Sequence, residues 1–251
     1  LIGFYTMVRK DTIRIFRIWS QTLLPPVVTT ALYFAIFGGF IGSQVEAIDG
    51  FSYMQFIMPG LVMMTLITSA YMNTVSTFYF AKFIKNIEEL LVSPMPSWVI
   101  VAGFIAGGVM RALLVGVLVV ITSLFFTQLT IANIFAVLGA GFFTALLFSL
   151  AGLVNGFFAK SFDAMTIIPT FVLTPLTYLG GVFYSIDLLP EPFRTLSLFN
   201  PILYMVNAFR YGFLGVSDVN PLICFAVLLG LTLVFFCITL WMFMKGTGFK
   251  N

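Results

Sequence analysis

Long apolar stretches recur along the whole chain, and the short segments between them carry most of the charged and proline residues. A membrane-spanning helix needs about 20 predominantly apolar residues, and six windows of the sequence meet that requirement. The predicted spans cover residues 22–42, 53–79, 98–126, 131–157, 164–184 and 221–244. We therefore predict an all-α integral membrane protein with six transmembrane helices, forming a single domain over residues 1–251.

Two segments outside the spans have the periodicity of amphipathic helices. In residues 4–20, aromatic and aliphatic side chains share one arc of a helix, Lys10, Arg14 and Arg17 share another, and Arg9 adds a fourth cation. Basic helices with an aromatic apolar face commonly lie in the membrane interface. We predict such an interfacial helix over residues 1–20, and a basic flank that only orients the first span is the alternative.

The second amphipathic segment is predicted at residues 82–93, within the stretch KFIKNIEELLVSPMP, and ends at Ser93-Pro94. Its apolar residues fill one arc of a helix and its polar residues face the other way. The polar residues are Lys82, Lys85, Asn86, Glu88 and Glu89. Lysines before glutamates oppose the helix dipole, at a cost of roughly a few tenths of a kcal/mol each. We therefore expect a partner that binds these charges, and a solvated helix that caps the bundle is the alternative.

The basic residues predict the orientation of the chain. An even number of spans places both termini on one side, and nine Lys and Arg residues fall on that side against two on the other. The nine are Arg9, Lys10, Arg14, Arg17, Lys82, Lys85, Lys160, Lys245 and Lys250, and the two are Arg194 and Arg210. The positive-inside rule therefore predicts that the termini and the 82–93 segment are cytoplasmic.

The opposite side would be external and would hold Glu46 and Asp49 in a short loop, together with the longer segment 185–220. Prolines in the long segment predict two short helices that are broken near Asn200-Pro201, after a re-entrant turn at Gly180-Gly181. The segment is too apolar for a free loop, so we expect it to enter the membrane or to lie on its surface.

The amino-acid composition excludes several classes of function. The chain is 61% hydrophobic and 8% charged and has no histidine, whereas soluble domains are about 25% charged. The sequence has no metal-ligand cluster, catalytic triad or phosphate-binding glycine motif. Its nine Asp and Glu residues can all be placed in loops or at span ends, which argues against an ion-coupled carrier. We predict a non-catalytic protein with no cofactor or metal of its own.

Polar residues within the predicted spans are candidates for a transport pathway. Arg111 lies near the middle of the third span, so it either faces a pathway or an internal partner, or extends to the membrane surface. The other polar candidates are Asn73, Asn155, Thr170, Thr174 and Thr177, most of them expected to bond between helices. Pro169 and Pro175 should bend the fifth span. Close helix packing is predicted at the G-x-x-x-G pairs Gly38–Gly42, Gly103–Gly107 and Gly152–Gly156.

A family resemblance rests on PTFVLTPLTYLGGVFYSIDLLPEPFRTLSLFNPILYMVNAFRYGFLG, at Pro169–Gly215. Its proline-bent span, Tyr-Leu-Gly-Gly, Leu-Pro, Asn-Pro and later Arg-Tyr resemble the signature of the ABC-2 type transporter permeases. Phe51–Met64 and Lys85–Pro96 support the same resemblance.

The resemblance implies that two copies of the chain form a pore and that each docks a separate cytoplasmic ATPase, which binds ATP and Mg. By position, it implies a coupling helix at Lys82–Leu91, a connecting helix at Tyr5–Ser20 and external helices at Ser185–Tyr204. The expected partners are two ATPase subunits, a second copy of the chain and membrane lipid, with no nucleic acid.

The leading hypothesis is the permease subunit of an ATP-driven exporter of the bacterial inner membrane, moving an amphipathic or lipid-linked substrate. The pathway is expected at the dimer seam beside the second and fifth spans. Its candidate residues are Arg111, Asn73, Thr170 and Thr174, with an external gate region at Gly180, Gly181, Asn200 and Pro201. Two alternatives stay open: a secondary carrier or channel that works without an ATPase, and a membrane assembly protein.

Overall fold

The computed structural model describes residues 2–42, 47–48 and 50–246, which form a bundle of helices joined by short loops. In chain order the helices are α1 (Ile2–Arg17), α2 (Trp19–Thr22), α3 (Leu24–Tyr33), α4 (Tyr53–Phe83), α5 (Asn86–Val92), α6 (Ser97–Ser123), α7 (Ile134–Phe158), α8 (Phe162–Ile168), α9 (Thr174–Tyr178), α10 (Glu191–Leu198), α11 (Pro201–Leu214) and α12 (Pro221–Lys245). Two π-helical segments, Phe34–Ile41 and Pro169–Leu173, continue α3 and join α8 to α9, and Ile186–Leu188 forms a 3₁₀ turn. Glu46, Asp49 and Lys250 lie outside the described residues.

Within the described residues, five helical stretches are long and apolar enough to cross a membrane. They are Trp19–Gly39, Tyr53–Phe83, Ser97–Ser123, Ile134–Phe158 and Pro221–Lys245. Each overlaps one predicted span, so the first, second, third, fourth and sixth predicted spans are confirmed as apolar helices of sufficient length.

The fifth predicted span, residues 164–184, takes a different form. It is divided into α8, a π-helical segment and α9, and the helix already ends at Tyr178. Pro169 has no amide hydrogen for the Met165 carbonyl, which would be its partner in a regular α-helix; the Asn155 Nδ2 donates to that carbonyl instead, at 3.3 Å. The α-helix is thus interrupted at Pro169, and both the predicted bend and a membrane crossing by this shorter segment stay predictions.

The helix α4 forms the centre of the bundle, and α6, α7 and α11 pack around it. Glycines allow the close approach of α7: a Cβ atom on Gly152 would lie 2.5 Å from the carbonyl oxygen of Tyr71. Gly156, one turn further, faces the ring of Phe78. This G-x-x-x-G pair is therefore confirmed as a packing face.

The N-terminal helix α1 packs lengthwise against the first half of α6. Met7 lies against Gly103 and Asp11 lies against Gly107, so the second G-x-x-x-G pair is also a packing face. Asp11 and Ile15 are buried. Ile15 belongs to the predicted apolar arc, whereas Asp11 lies between that arc and the basic one. The sequence pattern did not predict that Asp11 would be buried, and the position of α1 in the membrane interface stays a prediction.

The predicted second amphipathic helix begins later than expected. Lys82 still belongs to α4, the chain turns at Lys85 with a φ of 59°, and α5 begins at Asn86. Glu88 and Glu89 therefore lie in the first turn of α5, where carboxylates are stabilised by the helix dipole. The expectation that the charge order opposes the dipole is wrong, because the lysines lie outside the helix.

The chain between α9 and α12 contains the two short helices that the prolines predicted. The Oδ1 of Asn200 accepts a hydrogen bond from the Ile202 amide at 3.0 Å and so caps α11, whose first residue is Pro201. The predicted break at Asn200-Pro201 is confirmed. Most residues of α11 are buried against α4, α7 and α12, whereas α10 is mostly exposed. The end of the bundle that carries α1 and α5 is termed the basic end, and the end that carries α10 the far end.

Candidate functional site

The exposed charged face of α5 is the first candidate site. Ile87 is 2% exposed and anchors α5 on the bundle, while Lys85, Glu88 and Glu89 are exposed and Asn86 is half-buried. The helix therefore offers two carboxylates and one ammonium group to a partner at the basic end.

Lys82, the remaining member of the predicted coupling set, contacts its own chain. Its Nζ donates to the carbonyls of Gly156 and Phe157, at 3.3 and 2.8 Å, where the last turn of α7 has carbonyls without helical partners. A lysine at a helix C-terminus satisfies such carbonyls and complements the dipole. Lys82 therefore joins α4 to the end of α7 through these hydrogen bonds.

A cleft of about 330 Å³ lies between α1, α5 and the adjoining parts of α4 and α6. Its polar lining consists of Thr6, Lys10, Asp11, Arg14, Thr77, Asn86 and Glu89. Among the predicted cations of α1, Lys10 and Arg14 therefore face the α5 side, and Arg9 and Arg17 line a separate shallow surface groove together with them.

Arg14 joins α1 to α4. Its Nη2 donates to Asn73 Oδ1 at 3.2 Å and to the Thr77 hydroxyl, and it lies 3.8 Å from Asp11 Oδ1. The prediction that Asn73 bonds between helices is confirmed. Burial raises the pKa of the Asp11 carboxyl above its ordinary value, although the charges of Arg14 and Lys10 oppose that rise. The Asp11 pKa is thus set mainly by desolvation in the α1–α6 contact.

A second cavity, termed the α3–α4 groove, runs between the first apolar stretch and α4 and has a volume of about 370 Å³. It is lined by Gln21, Pro25, Pro26, Thr29, Thr30, Tyr33, Leu61, Met64, Thr65, Thr68, Ser69, Met72 and Arg111. Hydroxyl groups alternate with apolar side chains along it, and Arg111 is its charged residue. Such a mixed lining suits a ligand with an apolar body and a polar group.

Arg111 lies halfway along α6 but is level with the start of the first apolar stretch. Its Nη2 donates to the Thr22 carbonyl at 3.2 Å, a carbonyl that Pro26, four residues on, leaves without its usual amide partner. Trp19, three residues before Thr22, begins that stretch. The guanidinium therefore lies beside the start of the first apolar stretch, on the wall of the α3–α4 groove.

An aromatic cluster adjoins the groove at Tyr33. The Tyr33 and Tyr178 hydroxyls are 3.5 Å apart, and the Phe183 ring lies 6.1 Å from Tyr33, 5.9 Å from Tyr178 and 4.8 Å from Phe37 between centroids. The cluster joins the first apolar stretch to α9 and to the turn that follows it.

Thr170 and Thr174 do not belong to the residues that line the α3–α4 groove. Both are exposed, and Thr174 Oγ1 donates to the Pro169 carbonyl of its own segment at 2.9 Å. The neighbouring Thr177 likewise donates to Leu173, at 2.6 Å. The expectation of bonds between helices is therefore wrong for Thr174 and Thr177, because their hydroxyls are satisfied by nearby carbonyls of the interrupted helix.

The predicted gate residues meet a buried polar network at the far end. Arg210 Nη2 donates to the Gly181 carbonyl at 2.5 Å, its Nη1 lies 3.4 Å from Asp218 Oδ2, and its guanidinium carbon lies 3.9 Å from the centroid of the Phe56 ring. The Arg210 and Asp218 side chains are 0% and 3% exposed. Gly181 itself has a φ of 71°, which favours glycine.

The same network fixes the turn before α10 and the start of α11. Asp218 Oδ1 accepts from the Ser185 hydroxyl at 2.7 Å, and Oδ2 accepts from the Ile186 amide at 3.3 Å. Asn200 Nδ2 donates to the Leu176 carbonyl at 2.6 Å, where α9 ends. Hydrogen bonds therefore join the Gly180-Gly181 turn region, the α10 approach and α11 into one unit.

Sequence reasoning placed Arg210 at the far end but did not pair it with Asp218. One signal was present: an arginine and Asn207 lie within an otherwise apolar helix, and an aspartate follows eight residues later. The Asn207 Oδ1 accepts from the Asp218 amide at 2.8 Å. A charge within an apolar helix needs an internal partner, so the nearest carboxylate along the chain was the candidate.

Comparison with known proteins gives consistent results. A family model described as "ABC-2 type transporter" matches residues 3–214. The "Inner membrane transport permease YadH" of Escherichia coli (strain K12) is 54% identical over 242 residues, which cover 96% of this chain and 94% of that protein. The "Nodulation protein J" of Rhizobium leguminosarum bv. viciae is 26% identical over 217 residues, covering 84% of this chain and 83% of that protein. The corresponding protein of Rhizobium meliloti (strain 1021) is 24% identical over 222 residues, with coverages of 83% and 84%.

Proposed function

The chain belongs to the ABC-2 type transporter family, and from that membership we propose that it is the permease subunit of an ATP-driven exporter. It is a multi-pass inner-membrane protein related to transport permeases. In this proposal a separate ATPase binds ATP and Mg and supplies the energy, and two copies of the chain border the pathway. The observation that carries the proposal is the exposed acidic face of α5, which is anchored on the central helix at the basic end.

The basic end is the cytoplasmic end in this proposal. Arg9, Lys10, Arg17 and Lys85 are exposed there, and cytoplasmic segments of membrane proteins carry an excess of lysine and arginine. At 31 residues, α4 is about 46 Å long, which exceeds the hydrocarbon core of about 30 Å. Part of α4 therefore extends beyond the core, and α5 follows it on the side where a cytoplasmic ATPase would dock.

Movement of the ATPase would reach the pathway through α4. A displacement of α5 is passed to α4 through the Lys85 turn and the buried Ile87, and α4 in turn packs on α6, α7 and α11. Arg14 joins α1 to the same part of α4 through Asn73, so α1 and α5 would move together. Close-packed helices transmit such shifts because their interiors are barely compressible.

The pathway is proposed along the α3–α4 groove, with the aromatic cluster at Tyr33 as the closure. Because the lining combines hydroxyls and apolar groups with a single arginine, it suits an amphipathic or lipid-linked substrate better than a free ion. The far-end unit around Gly181 and Asn200 is proposed as the rigid frame of the exit.

The docking role of α5 is tested by reversing its carboxylates. Glu88→Lys with Glu89→Lys should abolish co-purification of the ATPase in mild detergent and the substrate-stimulated ATP hydrolysis, because like charges would then face the partner. Glu191→Lys is the matched control: its carboxylate is 81% exposed but lies at the far end, so both properties should persist.

Two outcomes would overturn the proposal. A reversed-charge variant that retains both the ATPase and the stimulated hydrolysis would refute the role of α5. Transport by the wild-type protein that continues without any nucleotide-hydrolysing subunit, driven by an ion gradient, would refute the function itself.

A further inference from the structure

The α3–α4 groove holds a cation, Arg111, for which the described part of the chain offers no carboxylate within 4.0 Å. We propose that Arg111 binds the anionic head group of an amphiphile, a carboxylate, sulfate or phosphate, whose apolar chain occupies the groove. This inference rests on the proposed transport function and names the charge and shape of its substrate class.

The first support is the incomplete pairing of the guanidinium. Arginine has five N–H donors, and the hydrogen bond found for Arg111 goes to the Thr22 carbonyl. Its Nε is buried without a hydrogen-bond partner. Among the described residues, every ion pair within 4.0 Å involves a different arginine, namely Arg14, Arg194 or Arg210. An anion in the groove would therefore meet free donors and an uncompensated charge.

The second support comes from a comparison within the chain. Pro169 frees the Met165 carbonyl as Pro26 frees that of Thr22, and there the neutral Asn155 provides the hydrogen bond. Satisfying a freed carbonyl therefore requires only an amide group. A partly buried charge is costly, so the positive charge of Arg111 calls for a further reason, which an anionic ligand supplies.

The third support is the shape of the groove. It extends along the first apolar stretch from Gln21 to Tyr33, twelve residues or about 18 Å of helix. Arg111 contacts the Gln21 end, beside the start of the first apolar stretch, and Leu61 and Tyr33 lie at the other end. A head group at Arg111 would thus stay at the level of lipid head groups while an apolar chain followed the groove inward.

The test uses two fluorescent probes that share one apolar chain and differ in the charge of the head group, 11-(dansylamino)undecanoic acid and its methyl ester, which adds one methyl group. Each is titrated against the purified full-length permease in phosphatidylcholine nanodiscs. We expect the wild-type protein to bind the acid about tenfold more tightly than the ester, the gain from one charge-assisted hydrogen bond. Arg111→Gln should reduce that ratio to about one, and Arg111→Lys should retain part of it because the charge persists.

Arg194→Gln is the control, since Arg194 is exposed at the far end and pairs with Asp187 at 3.0 Å; the ratio should be unchanged. An unchanged ratio of the affinities for acid and ester in Arg111→Gln would overturn the inference. An equal loss of affinity for both probes, in a variant with a wild-type melting temperature, would overturn it as well. Displacement of the acid by inorganic phosphate as readily as by unlabelled undecanoic acid would refute the amphiphile and leave a simple anion site.

Failure of this inference and failure of the proposed function are distinguishable. The probe titration needs no ATPase, so a charge preference that depends on Arg111 can be found even if no ATPase associates. Conversely, stimulated ATP hydrolysis without any preference for the acid would refute the anion site and leave the exporter function standing.

Discussion

Replacing Asp218 with asparagine tests the buried ion pair at the far end. The carboxylate accepts hydrogen bonds on both oxygens: Oδ1 from the Ser185 hydroxyl, and Oδ2 from the Ile186 amide beside the Arg210 guanidinium. An asparagine has the same shape but one acceptor oxygen, so its amide NH₂ must face a donor on one side. The variant also removes the carboxylate charge that lies 3.4 Å from the fully buried Arg210 guanidinium.

The expected loss of stability depends on how deeply the ion pair is buried. Removing one partner of a buried pair costs about 3–5 kcal/mol, whereas an exposed pair contributes below about 1 kcal/mol. Asp187→Asn is the matched control, because Asp187 pairs with Arg194 at 3.0 Å but the two side chains are 58% and 44% exposed. At about 2–4 °C per kcal/mol for chains of this size, Asp218→Asn should lower the melting temperature by on the order of 10 °C, and Asp187→Asn by no more than about 4 °C.

The assay is thermal unfolding of the purified permease in one detergent, followed by tryptophan fluorescence. A second variant, Arg210→Met combined with Asp218→Asn, should melt above Asp218→Asn alone, because it also removes the buried guanidinium that the carboxylate faced, even though the Gly181 hydrogen bond is lost. If Asp218→Asn melted within about 4 °C of the wild type, or if the double variant melted no higher than Asp218→Asn, the ion pair would not hold the far end together.

Three further outcomes are expected. Gly152→Ala should destabilise the protein by about 1–3 kcal/mol, because its Cβ would lie 2.5 Å from a backbone oxygen of α4. Gly230→Ala, whose Cβ would meet nothing within 4 Å, should instead stabilise the protein by about 0.5–1 kcal/mol. Equal melting temperatures of the two variants would contradict this expectation. Since burial raises the Asp11 pKa in the folded state, its ionised form costs stability at neutral pH, and that cost is relieved as pH falls toward the ordinary aspartate value. The melting temperature of the wild type minus that of Asp11→Asn should therefore rise as the pH falls from 7 toward the ordinary aspartate pKa of about 4, and a flat or falling difference over that range would refute it. Asn200→Ala removes the cap of α11 and the bond to Leu176, so it should cost about 1–3 kcal/mol in thermal unfolding, and a cost below about 0.5 kcal/mol would show that the cap is dispensable.

Local features of the sequence predicted the local features of the fold. Apolar stretches of sufficient length became helices, and the α-helix is interrupted at Pro169, because hydropathy and proline geometry act within a few residues. The same holds for the break before Pro201 and for the two glycine pairs at 103–107 and 152–156. The sequence placed the start of α5 at residue 82 rather than at Asn86, because its hydrophobic pattern cannot show that the chain turns at Lys85.

The candidate site was predicted less completely. Glu88 and Glu89 are exposed on α5 as the amphipathic pattern indicated, and Asn73 bonds between helices, but Thr174 does not. Lys82 belonged by pattern to the charged face of α5, and only its closeness to the end of α7 revealed its contacts.

What the sequence determined by itself is therefore the membrane character of the chain, the positions of the long helices, the clustering of basic residues and the family to which it is related. The tertiary structure alone decided which charges are paired: Arg210 with Asp218, Lys82 with α7, Arg14 with Asn73, and Arg111 with a single carbonyl on the wall of a groove. The physical reason is the distance along the chain over which each interaction acts. Burial in lipid and helix breaking depend on neighbours along the chain, whereas the pairing of a charge depends on which distant segment packs against it.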